Sequence, residues 1–247
     1  MIDNQRILII GGTRGTGLLI ARLLEQRRAS VRALARDPGR ARAALGPGVE
    51  VFEGDITKKE TLPPALEGTT HIIFTAGCRS GHPASESRIK ATEFEGVLNT
   101  LTTVRLAGCA GRFMYITSSG VATHSLLSVS LNLYKGNTLV WRRCAEDAIR
   151  GSGLDYTIIR TGMLVNSPSG RRAIRLTQEA LPLSIRYRIA RADVADVFVA
   201  AMEHPRASRA TFEVVWAHRR QLVEPWQTLL PSLRSDAGQT SARDRKP

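Results

Sequence analysis

Blocks of branched apolar residues alternate along the chain with stretches in which apolar positions return every three or four residues. The blocks are Ile7 to Ile10, Ser30 to Leu34, Val49 to Glu53, Thr70 to Thr75, Phe113 to Ser118, Tyr156 to Arg160 and Thr211 to Trp216. Continuous apolar runs of this length, flanked by Gly, Pro and Asp, predict strands buried on both faces. Between them the spacing predicts helices at Gly39 to Leu45, Lys58 to Leu66, about Glu86 to Ala107, about Leu139 to Gly151 and Asp193 to Glu203. Parallel neighbours need crossovers, and helical crossovers cover both faces of a sheet. The pattern therefore predicts an α/β fold, a doubly wound and mostly parallel sheet. It extends over residues 1 to 218, with a small lobe at about 161 to 191. From 219 to 247 the chain turns polar and charged, which predicts a mobile tail.

The first strand runs directly into Gly11-Gly12-Thr13-Arg14-Gly15-Thr16-Gly17, and Leu18 to Leu24 opens a helix. Glycine is needed where a chain turns sharply or must let a phosphate approach its backbone. A helix N-terminus then aims unpaired N–H groups and a positive dipole end at that phosphate. A strand, a glycine turn and a helix in this order point to a dinucleotide site.

Composition narrows the picture. Within 247 residues there is no apolar run long enough to cross a membrane. The first strand begins too early for a signal peptide, and Cys78, Cys109 and Cys144 show no paired spacing, so a cytoplasmic protein without disulfides or metal is expected. The formal charge of +13 raises the question of nucleic acid. Only five of the 35 basic residues are lysine, and the arginines are spread along the whole chain without a nucleic-acid-binding motif. Specific nucleic-acid binding is not expected.

The spacing Gly11-x-x-x-Gly15-x-Gly17 resembles that of the short-chain dehydrogenase/reductase superfamily. Further motifs carry the likeness: Gly54-Asp55-Ile56, Thr75-Ala76-Gly77, Glu93-Phe94-Glu95-Gly96, Thr117-Ser118-Ser119-Gly120, and Ser152 to Arg160. The last of these, with Arg191-Ala192-Asp193-Val194-Ala195, is similar to the atypical branch that holds NmrA-like, isoflavone-reductase-like and biliverdin-reductase-B-like proteins. The resemblance implies that Gly11, Thr13, Gly15, Thr16 and Gly17 hold a pyrophosphate. It puts Asp55 and Ile56 beside the adenine, and Thr75, Ala76, Gly77 and Thr117 on the nicotinamide side. Arg14 and Arg36 stand where a 2′-phosphate would lie, which favours NADP(H), although Asp37 is adjacent.

The resemblance also exposes a gap. Superfamily members place a tyrosine and a lysine four residues apart after the fifth strand, where the phenol donates a proton. Thr138 and Arg142 occupy those positions here. Tyr134, Ser118 and Arg142 are the remaining candidates for catalysis, with His124 a further possible acid; His71 and Cys78 read better as packing residues. Thr161 replaces a proline usual after the sixth strand. The lobe carries seven arginines and one acid among apolar residues, which suits a small-molecule substrate that is anionic and hydrophobic. Three functions remain open: an NADP(H)-dependent oxidoreductase acting on a conjugated, quinonoid or flavin-like molecule, a non-catalytic NADP(H)-sensing or scaffold protein, and a cofactor-assisted cyclase or isomerase.

Overall fold

The computed structural model describes residues 5–78, 85–109, 111–123, 125–218 and 225–237. Ten strands form: β1 (Arg6–Ile10), β2 (Ser30–Ala35), β3 (Val49–Glu53), β4 (His71–Phe74), β5 (Phe113–Ser118), β6 (Tyr156–Thr161), β7 (Met163–Val165), β8 (Ile174–Thr177), β9 (Arg188–Ala190) and β10 (Ala210–Trp216). Eight of them build one sheet in the order β3-β2-β1-β4-β5-β6-β10-β8, while β7 and β9 pair separately. All pairings in the main sheet are parallel except that of β10 with β8. From β1 the sheet grows first toward β3 and then, after β4, the other way. The loops after β1 and β4 therefore diverge, opening a crevice at the carboxyl ends of the strands.

The helices are α1 (Gly15–Gln26), α2 (Pro38–Leu45), α3 (Pro63–Leu66), α4 (Glu86–Lys90), α5 (Gly96–Leu106), α6 (Leu126–Tyr134), α7 (Thr138–Gly151), α8 (Arg191–Glu203) and α9 (Trp226–Leu229). Strand alternation sorts the core into two layers. Ile7 and Ile9 of β1 pack with α1 and α8, through Ile20, Leu24, Val194 and Phe198. Leu8 and Ile10 face the other way, toward Leu66, Val97, Leu101 and Ala145 of α3, α5 and α7. The helix expected over 58–66 is broken into a 3-10 turn at Lys59–Thr61 and the short α3, because Pro63 and Pro64 lack the N–H groups a continuous helix needs. The long helix expected from Glu86 is present, but a π-turn at Ala91–Glu95 joins α4 to α5.

The expectation of a mobile tail fails for residues 225–237. Leu230 and Leu233 are 4% and 3% exposed within the α1/α8 layer. Asp236 accepts from the Thr211 backbone N–H at 3.0 Å, the Thr211 hydroxyl at 2.7 Å and the Tyr156 hydroxyl at 2.9 Å. Two apolar side chains and one acid are enough to anchor a segment too short to show periodicity. Residues 219–224 and 238–247 lie outside the described residues.

Candidate functional site at the carboxyl ends of β1, β4 and β5

The turn after β1 is built for close approach. Gly11 has φ +89°, and a Cβ there would stand 2.6 Å from the Ala76 nitrogen. A Cβ on Gly17 would collide with the Gly11 carbonyl oxygen and the Thr75 hydroxyl. Thr75 in turn donates both its N–H, at 2.8 Å, and its hydroxyl, at 3.0 Å, to the Ile10 carbonyl, which ties the β4 loop to β1. Thr75, Ala76 and Gly77 thus abut the glycine turn. The N-terminus of α1 has no side-chain cap and no acid in its first turn, so its free N–H groups and dipole are unopposed. Two hydroxyls, that of Thr16 in the first turn of α1 and that of Thr117 on the α5/α7 face of β5, are buried without a hydrogen-bond partner among the described residues. Buried orphan hydroxyls are uncommon in native folds, and polar ligand atoms would satisfy both. The cradle and the orphaned groups fit a pyrophosphate with its attached ribose.

Arginines surround this turn. Arg14, the extended residue before α1, and Arg36, after β2, are both exposed. Neither guanidinium makes a hydrogen bond among the described residues, whereas Asp37 is spent on the Arg40 N–H at 3.0 Å as the cap of α2. Thr13 is half-buried beside Arg14. Arg191, noted in sequence only as part of a motif and of the lobe's charge, lies 3.7 Å from where a Cβ on Gly15 would stand and bonds Asn166 at 2.8 Å. At the end of β3, Asp55 holds the Thr57 N–H and hydroxyl, each at 2.9 Å, and Ile56 is buried against Gly96.

On the α7 side the site is organised by Glu93, a residue noted in sequence only as part of a motif. It is 1% exposed in the π-turn. It accepts from Arg142 Nε at 2.9 Å and Nη2 at 3.3 Å, from the Cys78 N–H at 3.1 Å, and from the Thr138 hydroxyl. Burial alone would raise its pKa, but the Arg142 charge and these hydrogen bonds outweigh burial and hold it below the ordinary value. Arg142 is held firmly protonated by the same pair, against the cost of burial. A Cβ on Gly77 would stand 3.2 Å from Arg142, so the cluster faces the backbone of the β4 loop. Thr138 and Arg142 are therefore bridged by a carboxylate and do not reproduce a phenol and its lysine.

The structure does not bring Tyr134 into this group. It is 57% exposed at the end of α6, while the next residue, Lys135, is 9% exposed and turned inward. Neighbouring helix positions point about 100° apart, so one of the pair had to face away. Ser118, half-buried, donates its hydroxyl to the Ser119 carbonyl at 3.0 Å and lies on the opposite face of β5 from Thr117. His71 opens β4 at the amino ends of the strands, away from the crevice, 3.2 Å from the Thr70 hydroxyl, with its pKa lowered by burial and by Arg112. Cys78 is half-buried with its thiol toward the Arg88 carbonyl at 3.6 Å, and His124 lies outside the described residues.

The lobe is tied to the sheet rather than hinged on it. Glu213 of β10, 1% exposed, accepts from the Ser119 hydroxyl at 2.6 Å and from the Leu181 N–H at 3.2 Å. Burial pushes its pKa up to about 7, against the Ser119 hydrogen bond and the Arg160 charge. Arg160 is committed to Glu146 at 2.6 Å and 3.1 Å. Thr161 donates to the Thr117 carbonyl at 3.2 Å. Of the other lobe arginines, Arg172 stacks on Trp216 at 4.7 Å, and Arg175 pairs with Glu179 at 3.2 Å. These two cations are occupied by the lobe's own packing.

A family model described as NAD(P)H-binding matches residues 11–205. Sanguinarine reductase of Eschscholzia californica is 30% identical, over 87% of this chain and 91% of its own length. NAD(P)H azoreductase of Xenophilus azovorans is 25% identical over 65% of this chain, which spans 49% of that protein. Among solved structures, a putative NAD-dependent epimerase/dehydratase from Bacillus halodurans superposes with a TM-score of 0.73 at 22% identity, covering 93% of this chain and all of that one. No helix among the described residues is long and apolar enough to cross a membrane.

Proposed function

The chain belongs to the NAD(P)H-binding family, and on that premise we propose that it is an NADPH-preferring reductase of a conjugated, quinonoid or flavin-like small molecule. The observation that carries the reading is the glycine cradle at the uncapped end of α1, with the orphaned Thr16 hydroxyl in its first turn. Gly11, Gly15 and Gly17, with the N-terminus of α1, receive the pyrophosphate; Thr75 to Gly77 and Thr117 line the nicotinamide side; Asp55 and Ile56 flank the adenine. Arg14 and Arg36 meet the 2′-phosphate, since a forked guanidinium is suited to phosphate oxygens and Asp37 is engaged elsewhere. The reductase names of two relatives support the direction of the chemistry.

The bound dinucleotide would supply the reducing equivalent. The chain's part is to orient the acceptor and to provide charge. Thr138 gives its hydroxyl to Glu93 and Tyr134 is turned outward, so neither the superfamily position nor the tyrosine one turn before it supplies a positioned phenol. Acceptors that are reduced without a strongly positioned proton donor suit such a site, whereas simple carbonyls do not.

Titration with NADPH and NADH is the first test, followed by NADPH oxidation with quinone, flavin and enone acceptors. Tighter binding of NADPH is expected, with Arg14→Ala and Arg36→Ala each lowering the NADPH-to-NADH preference by about tenfold. Failure of both nucleotides to bind would overturn the assignment, and equal affinities would overturn the preference. Tight NADPH binding with no oxidation by any acceptor would favour the sensing role, which the missing phenol already makes the rival.

A further inference from the structure

Lys135 is a buried cation at this site whose ammonium has no salt-bridge partner among the described residues. It is nine-tenths buried, and its ammonium takes no hydrogen bond among the described residues. The turn that carries it is fixed. Gly136 and Asn137 are both left-handed, at φ +47° and +58°. Gly136 is pressed against Glu86, whose Cα would lie 2.8 Å from a Cβ there. The Asn137 side chain donates to Glu86 at 2.9 Å, and Asn132 receives the Leu139 N–H at 2.9 Å. This geometry leaves Tyr134 outside and directs Lys135 inward, toward the group formed by Arg142, Glu93 and Cys78.

The charges on that group do not cancel. Lys135 and Arg142 bring two cations, and Glu93, whose charge acts on both, is already held by Arg142 through two hydrogen bonds. Other acids of the adjoining helix are engaged: Glu86 with Asn137 and Trp141, Glu95 with Lys90 at 2.9 Å. Burial and the Arg142 charge keep the Lys135 pKa below the usual lysine value, with Glu93 acting against them. A buried cation without a counter-ion is costly in the free protein and repays an incoming anion. One turn of chain to either side of Lys135, Leu131 and Leu139 belong to a small apolar cluster with Val121 and Leu183.

We propose that Lys135 is the anion subsite for the acceptor, receiving a carboxylate or ionised enol oxygen on a flat apolar molecule. The subsite rests on the reductase reading only for its ligand being the acceptor, so its test measures binding rather than turnover. Calorimetric titration compares 2-naphthoate with 2-naphthamide, two unreactive probes of like shape and different charge, with and without NADPH present.

The wild type should bind naphthoate at least about tenfold more tightly, Lys135→Met should erase that preference, and Lys135→Arg should keep it. Raising the pH should weaken naphthoate selectively, beginning below the ordinary lysine range. NADPH affinity should change by less than about twofold in Lys135→Met. Equal binding of the two probes by the wild type would overturn the proposal. So would a Lys135→Met variant, folded by circular dichroism, that loses NADPH while keeping its preference for naphthoate, since the charge would then serve the phosphates of the nucleotide. If neither nucleotide binds but the naphthoate preference is present and depends on Lys135, the reductase reading falls and the subsite stands.

Discussion

Replacing Leu233 by alanine measures whether the C-terminal segment belongs to the core. Leu233 is 3% exposed and packs in the layer that contains α8 and Leu230. Its removal deletes three buried carbons and leaves a cavity whose walls, held by α8 and β10, cannot fully close. A Leu→Ala change of this kind costs about 2–5 kcal/mol, a large share of the 5–15 kcal/mol typical of a domain. At about 2–4 °C per kcal/mol for a chain of this size, the melting temperature should fall by roughly 5–15 °C. Leu133→Ala supplies the control, because Leu133 is 82% exposed on α6 and its loss should stay within about 0.5 kcal/mol. Urea unfolding of the three proteins at equal m-value gives the comparison directly. A Leu233→Ala protein as stable as the Leu133→Ala control would refute the packing of residues 225–237, and the segment would revert to a tail.

Three further outcomes follow from the buried polar groups and the glycine turn. Glu213 has a folded pKa near 7 against an ordinary 4.5, so the folded state holds the extra proton and stability falls as pH rises through that window, by about 3 kcal/mol. Glu213→Gln should flatten that slope in denaturation curves from pH 4 to 8; a slope equal to the wild type's would rule out Glu213 as its source. Gly17→Ala puts a methyl group against the Gly11 carbonyl and the Thr75 hydroxyl, so nucleotide affinity should drop at least about tenfold by titration, and unchanged affinity would show that the turn can yield. Arg112 donates to the Ala201 carbonyl at 2.7 Å, the His204 carbonyl at 3.0 Å and Asp155 at 2.9 Å, which closes the end of α8. Arg112→Met should cost on the order of 3 kcal/mol in chemical denaturation, and a loss below about 0.5 kcal/mol would show that water replaces those bonds.

The seven parallel strands of the main sheet, its doubly wound form and the glycine turn after β1 were legible in the sequence alone, whereas β7, β8, β9 and α6 were not. Local chemistry specifies the former. Ile7 to Ile10 can only be a strand buried on both faces, and Gly11 and Gly17 stand where a Cβ would strike backbone. The departure of Thr138 and Arg142 from the phenol–lysine pair was equally legible, since it depends on spacing within one helix.

What fills that gap was decided in three dimensions. Glu93 reaches Thr138 and Arg142 from a π-turn 45 residues away in the chain, and no periodicity in the sequence pairs those positions. Tyr134 and Lys135 are adjacent, so sequence left open which one enters the site; the left-handed Gly136 and Asn137, pinned on Glu86, turn the lysine inward. The anchoring of residues 225–237 depends on Leu230, Leu233 and Asp236 meeting a surface formed by α8, β6 and β10, which does not exist until the sheet has closed. Backbone conformation and amphipathic burial are set by neighbours in sequence. The pairing of buried charges is set by neighbours in space.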